Sequence, residues 1–321
     1  MAVLASDPWA YVQHVIRHPG GPTPSDASAY WVQCERFFAS LRSESYEARS
    51  LHLYYMILNG CKSLLSHRYG LSPSRSLTHG VKTTVDHNAA DPSHPSNWRV
   101  AESQQVGVLQ CITQSRVPGV RSTNPIAAST EELLKQVVWT HRAWTTAEGL
   151  DSKDEWFLPV AGKVRLEDLR GKPGLSGTPV RFRFRVSDRV KFQPQDMPTY
   201  FALDPDGEWV GQDFDWGNIQ SEHASVRRHI DIISSREKPS YYVRKSTAAF
   251  QPTSQIALNF MLSHALSTLA RYHPRQWSEA LDGRLGWVIK EYLTVTPAQM
   301  LGILAGEISG RIVQIPYSAL S

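Results

Sequence analysis

Histidine and arginine are the residue types in this sequence whose chemistry best suits catalysis. Imidazole exchanges protons near neutral pH, and a guanidinium stabilises the charge that develops on a phosphodiester. We predict that any catalytic site is assembled from residues spread over several elements, namely His79, His141, Arg142, Arg271 and His273. The alternative role is structural, because His141 follows an apolar stripe and Arg271 ends a predicted helix, where its charge complements the dipole. The sequence leaves open whether the chain is an enzyme.

A polar segment at residues 86–99 carries groups that ligate metals. Asp86, His87, Asp91 and His94 place two carboxylates and two imidazoles within nine residues, and both groups bind divalent ions. The Ala, Ser and Pro residues around them are typical of a solvated loop, which we favour over a metal site. The sequence contains neither a phosphate-binding glycine motif nor a nucleophile elbow. We therefore expect no metal and no cofactor.

Alternating residues at 181–186 predict a strand with a basic face. In a strand, Arg-Phe-Arg-Phe-Arg-Val places the arginines on one side and the apolar residues on the other. Such a face could track phosphates, with stacking from nearby tyrosines. The residues that we assign to nucleic-acid binding are Arg181, Arg183, Arg185, Lys191, Arg244 and Lys245. The alternative is a solvated face whose charge is neutralised by acidic residues nearby in the sequence.

Composition indicates a soluble globular protein. The chain has 321 residues, of which 41% are apolar and 20% charged, enough for one large or two ordinary domains. No apolar run reaches the roughly 20 residues of a membrane-spanning helix, and no signal peptide is evident, so we expect a cytoplasmic protein that does not bind a membrane. Cys34, Cys61 and Cys111 lie far apart within apolar segments, which predicts reduced, buried thiols. The net charge of +4 allows a polyanionic partner without requiring one.

Helical periodicity predicts the elements that position these groups. The longest helix spans residues 46–70, where apolar residues recur every three or four positions and Gly70 closes the last turn. Ser129 and Glu132 match the capping box, which predicts a helix at 131–144. Further helices are predicted at residues 8–17, after Ser25, from Gln255, from Pro274 and at 297–309.

Strand signals concentrate between residues 152 and 246. Besides 181–186, we predict strands at 200–203 and 208–210 joined by a turn, and at 240–244. Outside this region, residues 105–112 also have the composition of a strand. The predicted fold class is α+β and predominantly helical. Its predicted parts are an N-terminal helical half at 1–151, a small β-rich insertion at 152–246 and a C-terminal helical part at 247–321 that packs on the first half.

Several blocks of the sequence resemble known families. The segment LYYMILNGCKSLLSHRYG at residues 53–70, followed by His79-Gly80, is similar to the second and third helices of HEPN domains. Over nearly the whole chain, the sequence resembles the YaaC-like family of bacterial proteins, which implies a fold more than an activity. The blocks that carry this resemblance are Asp7-Pro-Trp9, Asn59-Gly-Cys-Lys-Ser63, Tyr69-Gly70, His79-Gly80, Leu133-Leu134, His141-Arg142-Ala143 and Arg271-Tyr-His-Pro-Arg-Gln-Trp277.

The HEPN resemblance implies a helical bundle, frequent dimerisation, and roles in RNA cleavage, toxin systems and antiphage defence. Catalytic HEPN ribonucleases carry an arginine and a histidine separated by four to six residues on one helix, where both act on a phosphodiester. None of the twelve histidines of this chain follows an arginine at that spacing. The nearest approach is Arg75 with His79, which is one residue too short.

We therefore expect an accessory or binding protein of a prokaryotic defence or stress system. It would act by binding a protein partner, which includes a second copy of itself, or nucleic acid. The alternative is a metal-independent HEPN-type ribonuclease with a displaced Arg/His site. Asn59, Lys62 and His79 are the predicted remnant of a polar site beside the core helix.

Overall fold

The computed structural model of the chain divides into two compact units. The first, called the helical unit below, comprises Met1–Ala147 and Gln255–Ser321. The second, called the β unit, comprises Glu148–Ser254. The structure describes residues 2–18, 25–41, 45–71, 77–103, 107–114, 127–150, 155–161, 164–169, 179–187, 192–218, 229–233, 240–245 and 254–315.

The helical unit is organised around its third helix. The helices are α1 (Pro8–Arg17), α2 (Ser25–Ser40), α3 (Tyr46–Tyr69), α4 (Val108–Gln114), α5 (Thr130–Gln136), α6 (His141–Ala147), α7 (Gln255–Tyr272), α8 (Pro274–Asp282) and α9 (Gly286–Ser309). Helix α3 contacts α2, α7 and α9, and most of its second half is buried. It ends as predicted, with Gly70 in the left-handed conformation at φ +63° and its N–H donating to the Leu65 carbonyl.

Short strands complete both units. They are β1 (Ala2–Leu4), β2 (Val81–Val85), β3 (Trp98–Glu102), β4 (Ala127–Ser129), β5 (Phe157–Pro159), β6 (Arg165–Asp168), β7 (Pro179–Phe184), β8 (Ala202–Leu203), β9 (Trp209–Val210), β10 (Phe214–Asp215), β11 (Ile230–Ile233), β12 (Ser240–Arg244) and β13 (Ile312–Gln314). In the helical unit, β2, β3 and β4 form an antiparallel sheet in that order, and β1 pairs with β13 in parallel.

Two antiparallel sheets form the β unit. One has the order β10-β7-β9-β8, with β6 also paired to β7, and the other has the order β11-β12-β5. A bridge between Val160 and Val186 links them. The predicted pairing of the strands around 202 and 210 is confirmed, and Gly207 closes their turn at φ +74°. Both sheets contribute to one apolar core, formed by Leu158, Val180, Phe182, Phe184, Met197, Phe201, Trp209, Phe214, Ile230 and Val243.

Helix α9 continues through a proline. The sequence predicted a helix that starts at Pro297, and this start was wrong, because α9 begins at Gly286 and contains Pro297 in its interior. An interior proline costs about 3 kcal/mol, since it removes a backbone hydrogen bond and crowds the preceding turn. Most of α9 is buried, including Pro297 itself. Burial of this helix therefore outweighs a local signal that is typical of a helix start.

Residues 107–114 also differ from the prediction. Gly107 makes a bridge to Thr78, and the chain then enters α4, so the predicted strand at 105–112 was wrong over the described residues. A short apolar run does not distinguish a helix from a strand. Here Gln110 favours the helix, because its side-chain Oε1 accepts from the Gly107 N–H at 2.9 Å and satisfies a donor at the helix start.

The predicted helix at 131–144 is two helices. Its capping box is confirmed, since Ser129 Oγ accepts from the Glu132 N–H and Glu132 Oε2 accepts from the Ser129 N–H. The chain leaves the helical conformation at Val137 and starts again at His141. Thr140 is buried there, with its hydroxyl 3.4 Å from the Leu134 and Val137 carbonyls. Such side-chain bonds compete with a continuous helix.

The observed fold is mixed, with a helical majority, as predicted. All three cysteines are buried free thiols, which confirms the prediction from their apolar surroundings. Among the described residues, no helix has the length and apolar character needed to cross a membrane.

Candidate functional site

Two of the predicted catalytic residues meet in the helical unit. The ring of His79 lies against Tyr54 in an edge contact, with 5.5 Å between ring centroids. His264 contacts the same tyrosine at 5.3 Å, and the two imidazoles are 6.3 Å apart. Arg271 and Lys62 are close enough for their charges to act on His79. We call Tyr54, Lys62, His79, His264 and Arg271 the histidine cluster.

Two helices and one loop supply the histidine cluster. Tyr54 and Lys62 lie on α3, and His264 and Arg271 lie on α7. The seven-residue spacing of His264 and Arg271 is close to two helical turns, so both side chains occupy one face of α7. His79 precedes β2, in the segment that leads into the sheet. The cluster is therefore built on secondary structure for four of its five members.

The loop that carries His79 is fixed by its neighbour Gly80. Gly80 adopts φ +76°, a conformation that side-chain-bearing residues avoid. Gln110 Nε2 donates to the Gly80 carbonyl at 2.9 Å, and a Cβ on Gly80 would lie 2.0 Å from Gln110 Oε1. Only glycine fits here without displacing Gln110, the side chain that also satisfies the start of α4.

A hydrogen bond orients the ring of His264. Its Nδ1 lies 2.9 Å from the hydroxyl of Thr83 on β2. Because this bond joins α7 to the sheet, it holds the ring against Tyr54. Which partner donates depends on the tautomer of the ring.

Basic groups surround both histidines of the cluster. Burial lowers the pKa of His79, and the charges of Lys62 and Arg271 lower it further. Burial also lowers the pKa of His264 to about 4, with further contributions from His79 and Arg271. Burial lowers the pKa of the Lys62 ammonium as well. Every charged side chain that shifts the two histidine pKa values is basic, so the cluster repels protons and attracts anions.

Tyr54 forms the floor of the cluster. Its side chain is fully buried, and burial is the largest cause of the raised pKa of its hydroxyl. Among the described residues, that hydroxyl has no hydrogen-bond partner. By contrast, the side chains of His79 and Arg271 are exposed and that of His264 is half-buried. The cluster therefore runs from a buried hydroxyl to the solvent.

The other predicted catalytic residues lie elsewhere. His141 is fully buried, and its Nδ1 lies 2.7 Å from the Lys135 carbonyl, next to Trp144. This arrangement supports the structural alternative. Arg142 follows it on an exposed position of α6. His273 precedes α8 and faces His87, with 5.2 Å between the ring centroids.

Of the residues predicted to form a polar site beside the core helix, Lys62 lies near His79 and Asn59 bonds within its own helix. Lys62 belongs to the histidine cluster, and its ammonium also lies 5.3 Å from the centre of the Tyr30 ring. Asn59 is buried, and its amide donates to the Tyr55 carbonyl of the preceding turn at 2.7 Å. This hydrogen bond ties the Asn59 amide to its own helix.

Arg181 and Arg183 occupy one face of β7, as the alternation predicted, and both of them and Arg185, which follows the strand, pair with carboxylates. Arg181 Nε donates to Glu167 at 2.7 Å, and Arg185 Nε donates to Glu208 at 3.0 Å. Arg183 pairs with Glu167, Glu208 and Asp204. These contacts support the alternative of a neutralised face and leave little positive potential to track phosphates.

The remaining residues assigned to nucleic-acid binding do not extend that face. Arg244 is buried and lies 3.1 Å from the Asp231 carboxylate. Lys245 is buried and lies 3.8 Å from Asp196. Burial prevents both side chains from reaching a phosphate at the surface. Lys191 lies outside the described residues.

The candidate metal-binding segment forms turns. Asp86 Oδ1 accepts from the Asn88 N–H, and Asp91 Oδ1 accepts from the Ser93 N–H, each at 3.0 Å. His94 Nδ1 contacts the Ser96 hydroxyl at 2.8 Å. Across the described parts of the chain, no three His, Cys, Asp or Glu side chains are arranged to hold a metal. These carboxylates act as turn caps.

The sequence model of the YaaC-like protein family matches residues 21–308. The chain belongs to the YaaC-like family. This confirms the resemblance drawn from the blocks along the sequence. No curated protein and no solved structure shows a significant match. All five residues of the histidine cluster lie within the segment matched to the YaaC-like family.

Sequence reasoning missed His264, Thr83 and the role of Tyr54. His264 lies in a helical segment that is apolar around most of its circumference. It was therefore overlooked as a single polar residue among core residues. A signal was present, because His264 and Arg271 share the seven-residue spacing that places two side chains on one helix face. The contribution of Thr83 depends on the tertiary approach of β2 to α7, and no local pattern reports it.

Proposed function

We propose that this chain is a binding protein and that its histidine cluster binds a phosphate group of a single-stranded nucleic acid. The observation that carries the proposal is electrostatic. The charges of Lys62 and Arg271 lower the pKa of His79, and those of His79 and Arg271 lower the pKa of His264, so basic side chains crowd both rings. A phosphate placed among them would relieve this repulsion and would accept several hydrogen bonds.

An exposed aromatic residue beside the cluster favours nucleic acid over inorganic phosphate. Tyr272 is 67% exposed, and the Arg271 guanidinium lies 5.0 Å from the centre of its ring. An exposed aromatic next to a cationic group is the arrangement on which a base stacks while its phosphate is neutralised. Arg271 thus connects the phosphate position to a stacking surface.

Binding accounts for the protonation of the cluster better than catalysis does. Metal-independent cleavage of RNA needs one imidazole that takes a proton and one imidazolium that gives it. Both His79 and His264 have lowered pKa values, so at neutral pH the acid is largely missing. The cluster is therefore suited to hold a phosphodiester rather than to cleave it.

A metal-independent ribonuclease is the second candidate. The observation in its favour is that two imidazoles lie 6.3 Å apart beside Arg271, a constellation that could act from both sides of a phosphodiester. Bound phosphate would raise both histidine pKa values and supply the missing acid. The cleavage assay described next separates the two candidates.

The test is binding and cleavage of a fluorescein-labelled single-stranded RNA in EDTA. We expect Arg271→Gln and Lys62→Gln each to weaken binding, measured by fluorescence anisotropy, by about tenfold, since each removes one phosphate contact. Arg275→Gln is the matched control, because Arg275 is exposed and paired with Glu279 on α8, and it should change affinity less than twofold. Equal binding by Arg271→Gln and the wild type would contradict the proposal. If the wild type cleaves the RNA and His264→Ala does not, the ribonuclease function would replace the proposed binding function.

The biological setting comes from the resemblance alone. A role in a prokaryotic defence or stress system, a protein partner, self-association and a HEPN-like bundle remain predictions. The proposed site requires none of them, because all its residues belong to the helical unit of one chain.

A further inference from the structure

A second concentration of basic groups lies in the helical unit, outside the histidine cluster. The last turns of α1, α3 and α9 line a groove with a volume of about 490 Å³. Its polar lining includes His14 of α1 and His18 just after it, His67 and Arg68 of α3, and Arg311 after α9. None of the described residues that line it is acidic.

The groove has fixed polar groups on its walls. The rings of His14 and His18 stack with 4.4 Å between centroids. Arg68 Nε donates to the Glu307 backbone carbonyl at 3.0 Å, which anchors the guanidinium. The Nδ1 atom of His67 is buried, and the described residues offer it no hydrogen-bond partner.

The negative ends of the three helix dipoles oppose the positive charge of the groove. Each helix C-terminus is equivalent to roughly half a negative charge, so three ends amount to about −1.5 at most. Arg68 and Arg311 each carry a formal positive charge. None of the described lining residues is acidic, so an anion in the groove would meet the Arg68 guanidinium and the three imidazoles.

The size and the apolar part of the lining indicate an organic ligand. A volume of about 490 Å³ lies in the usual range of small-molecule sites and exceeds the needs of a single ion. Tyr11 and Ile308 give the groove an aromatic and an aliphatic surface. We propose that this groove binds a small organic phosphate, with the phosphate between Arg68 and the imidazoles and the organic group against Tyr11.

The probe for this site is phenyl phosphate, which combines one phosphate with one aromatic ring. The titration uses the full chain carrying Lys62→Gln and Arg271→Gln, so that the histidine cluster does not contribute. We expect saturable shifts in the NMR signals of the His14, His18 and His67 rings. Benzoate, which carries a carboxylate in place of the phosphate, should bind at least fivefold more weakly. Equal binding of benzoate would contradict the choice of phosphate.

Charge placement within the groove provides the matched comparison. His14→Glu puts a carboxylate into the groove and should weaken phenyl phosphate binding at least tenfold. Gln33→Glu makes the same change in formal charge at an exposed position of α2, outside the lining, and should leave affinity within twofold. His18→Glu replaces His14→Glu if the latter does not fold. The proposal is overturned if the wild-type groove shows no saturable shift, or if the groove and control variants bind equally.

Discussion

The environment of the His264 ring differs strongly from water. Burial and two basic neighbours lower its pKa from 6.5 to about 4, so it stays neutral in the folded chain at pH values where the unfolded chain protonates it. Between pH 6.5 and pH 4, the unfolded state therefore binds a proton that the folded state does not. The free energy of unfolding should fall by up to about 3 kcal/mol as the pH drops through this window.

Chemical denaturation at pH 7 and at pH 4.5 measures this effect. The control is His264→Gln, which keeps a polar group near Thr83 but cannot titrate. Its unfolding free energy should depend less steeply on pH than that of the wild type. Parallel pH dependences would show that His264 titrates normally and would remove the buried neutral imidazole from the site.

At the scale of elements, the position of His79 depends on how the chain crosses from α3 to β2. Gly80→Ala should destabilise the helical unit by about 2 kcal/mol, because the new Cβ would displace Gln110 and the backbone would be strained. It should also weaken RNA binding, since His79 would move. The measurements are urea denaturation and anisotropy with the labelled RNA.

Gly70→Ala separates backbone strain from the contact with Gln110. Gly70 has a similar φ of +63°, but a Cβ there would meet nothing within 4 Å. This substitution should cost about 1 kcal/mol and leave RNA binding unchanged. A cost at Gly80 no larger than that at Gly70 would contradict the proposed role of Gln110.

The sequence predicts elements well where local chemistry determines them. Helix α3 and its glycine end follow from periodicity and a left-handed cap, and the arginine face of β7 follows from strict alternation. The run through Pro297 and the helix at Val108–Gln114 were missed, because burial and a side-chain contact outweigh local propensity there. For the site, His79, Arg271 and Lys62 could be proposed from the sequence. Their assembly around Tyr54 and His264 could not, since it depends on packing between distant segments.

At the scale of the whole molecule, the two units carry their charges differently. In the β unit, Arg183 is 18% exposed and pairs with Asp204 and Glu208, whose side chains are 11% and 7% exposed. Arg183→Gln should leave Asp204 without this cation and remove one of the cations that Glu208 shares with Arg165 and Arg185, and it should lower the stability of the β unit by about 2 kcal/mol. RNA binding should persist, because the histidine cluster belongs to the helical unit.

Arg185→Gln is the matched control for this prediction. Arg185 directly follows β7 and also pairs with Glu208, but its side chain is 59% exposed, so its loss should change stability by less than about 0.5 kcal/mol. Thermal unfolding followed by circular dichroism compares the two variants. If Arg183→Gln lost RNA binding while its stability was unchanged, the nucleic-acid-binding site would have to be assigned to the β unit.

Phosphate binding in the histidine cluster is tested most directly by a pH titration of the His79 and His264 rings by NMR, with and without a short single-stranded RNA. If a phosphate occupies the histidine cluster, its negative charge should raise both pKa values, and the rise should disappear in Arg271→Gln. Unchanged pKa values for both rings at saturating RNA would contradict the account, because a phosphate among these groups cannot leave their protonation unaffected.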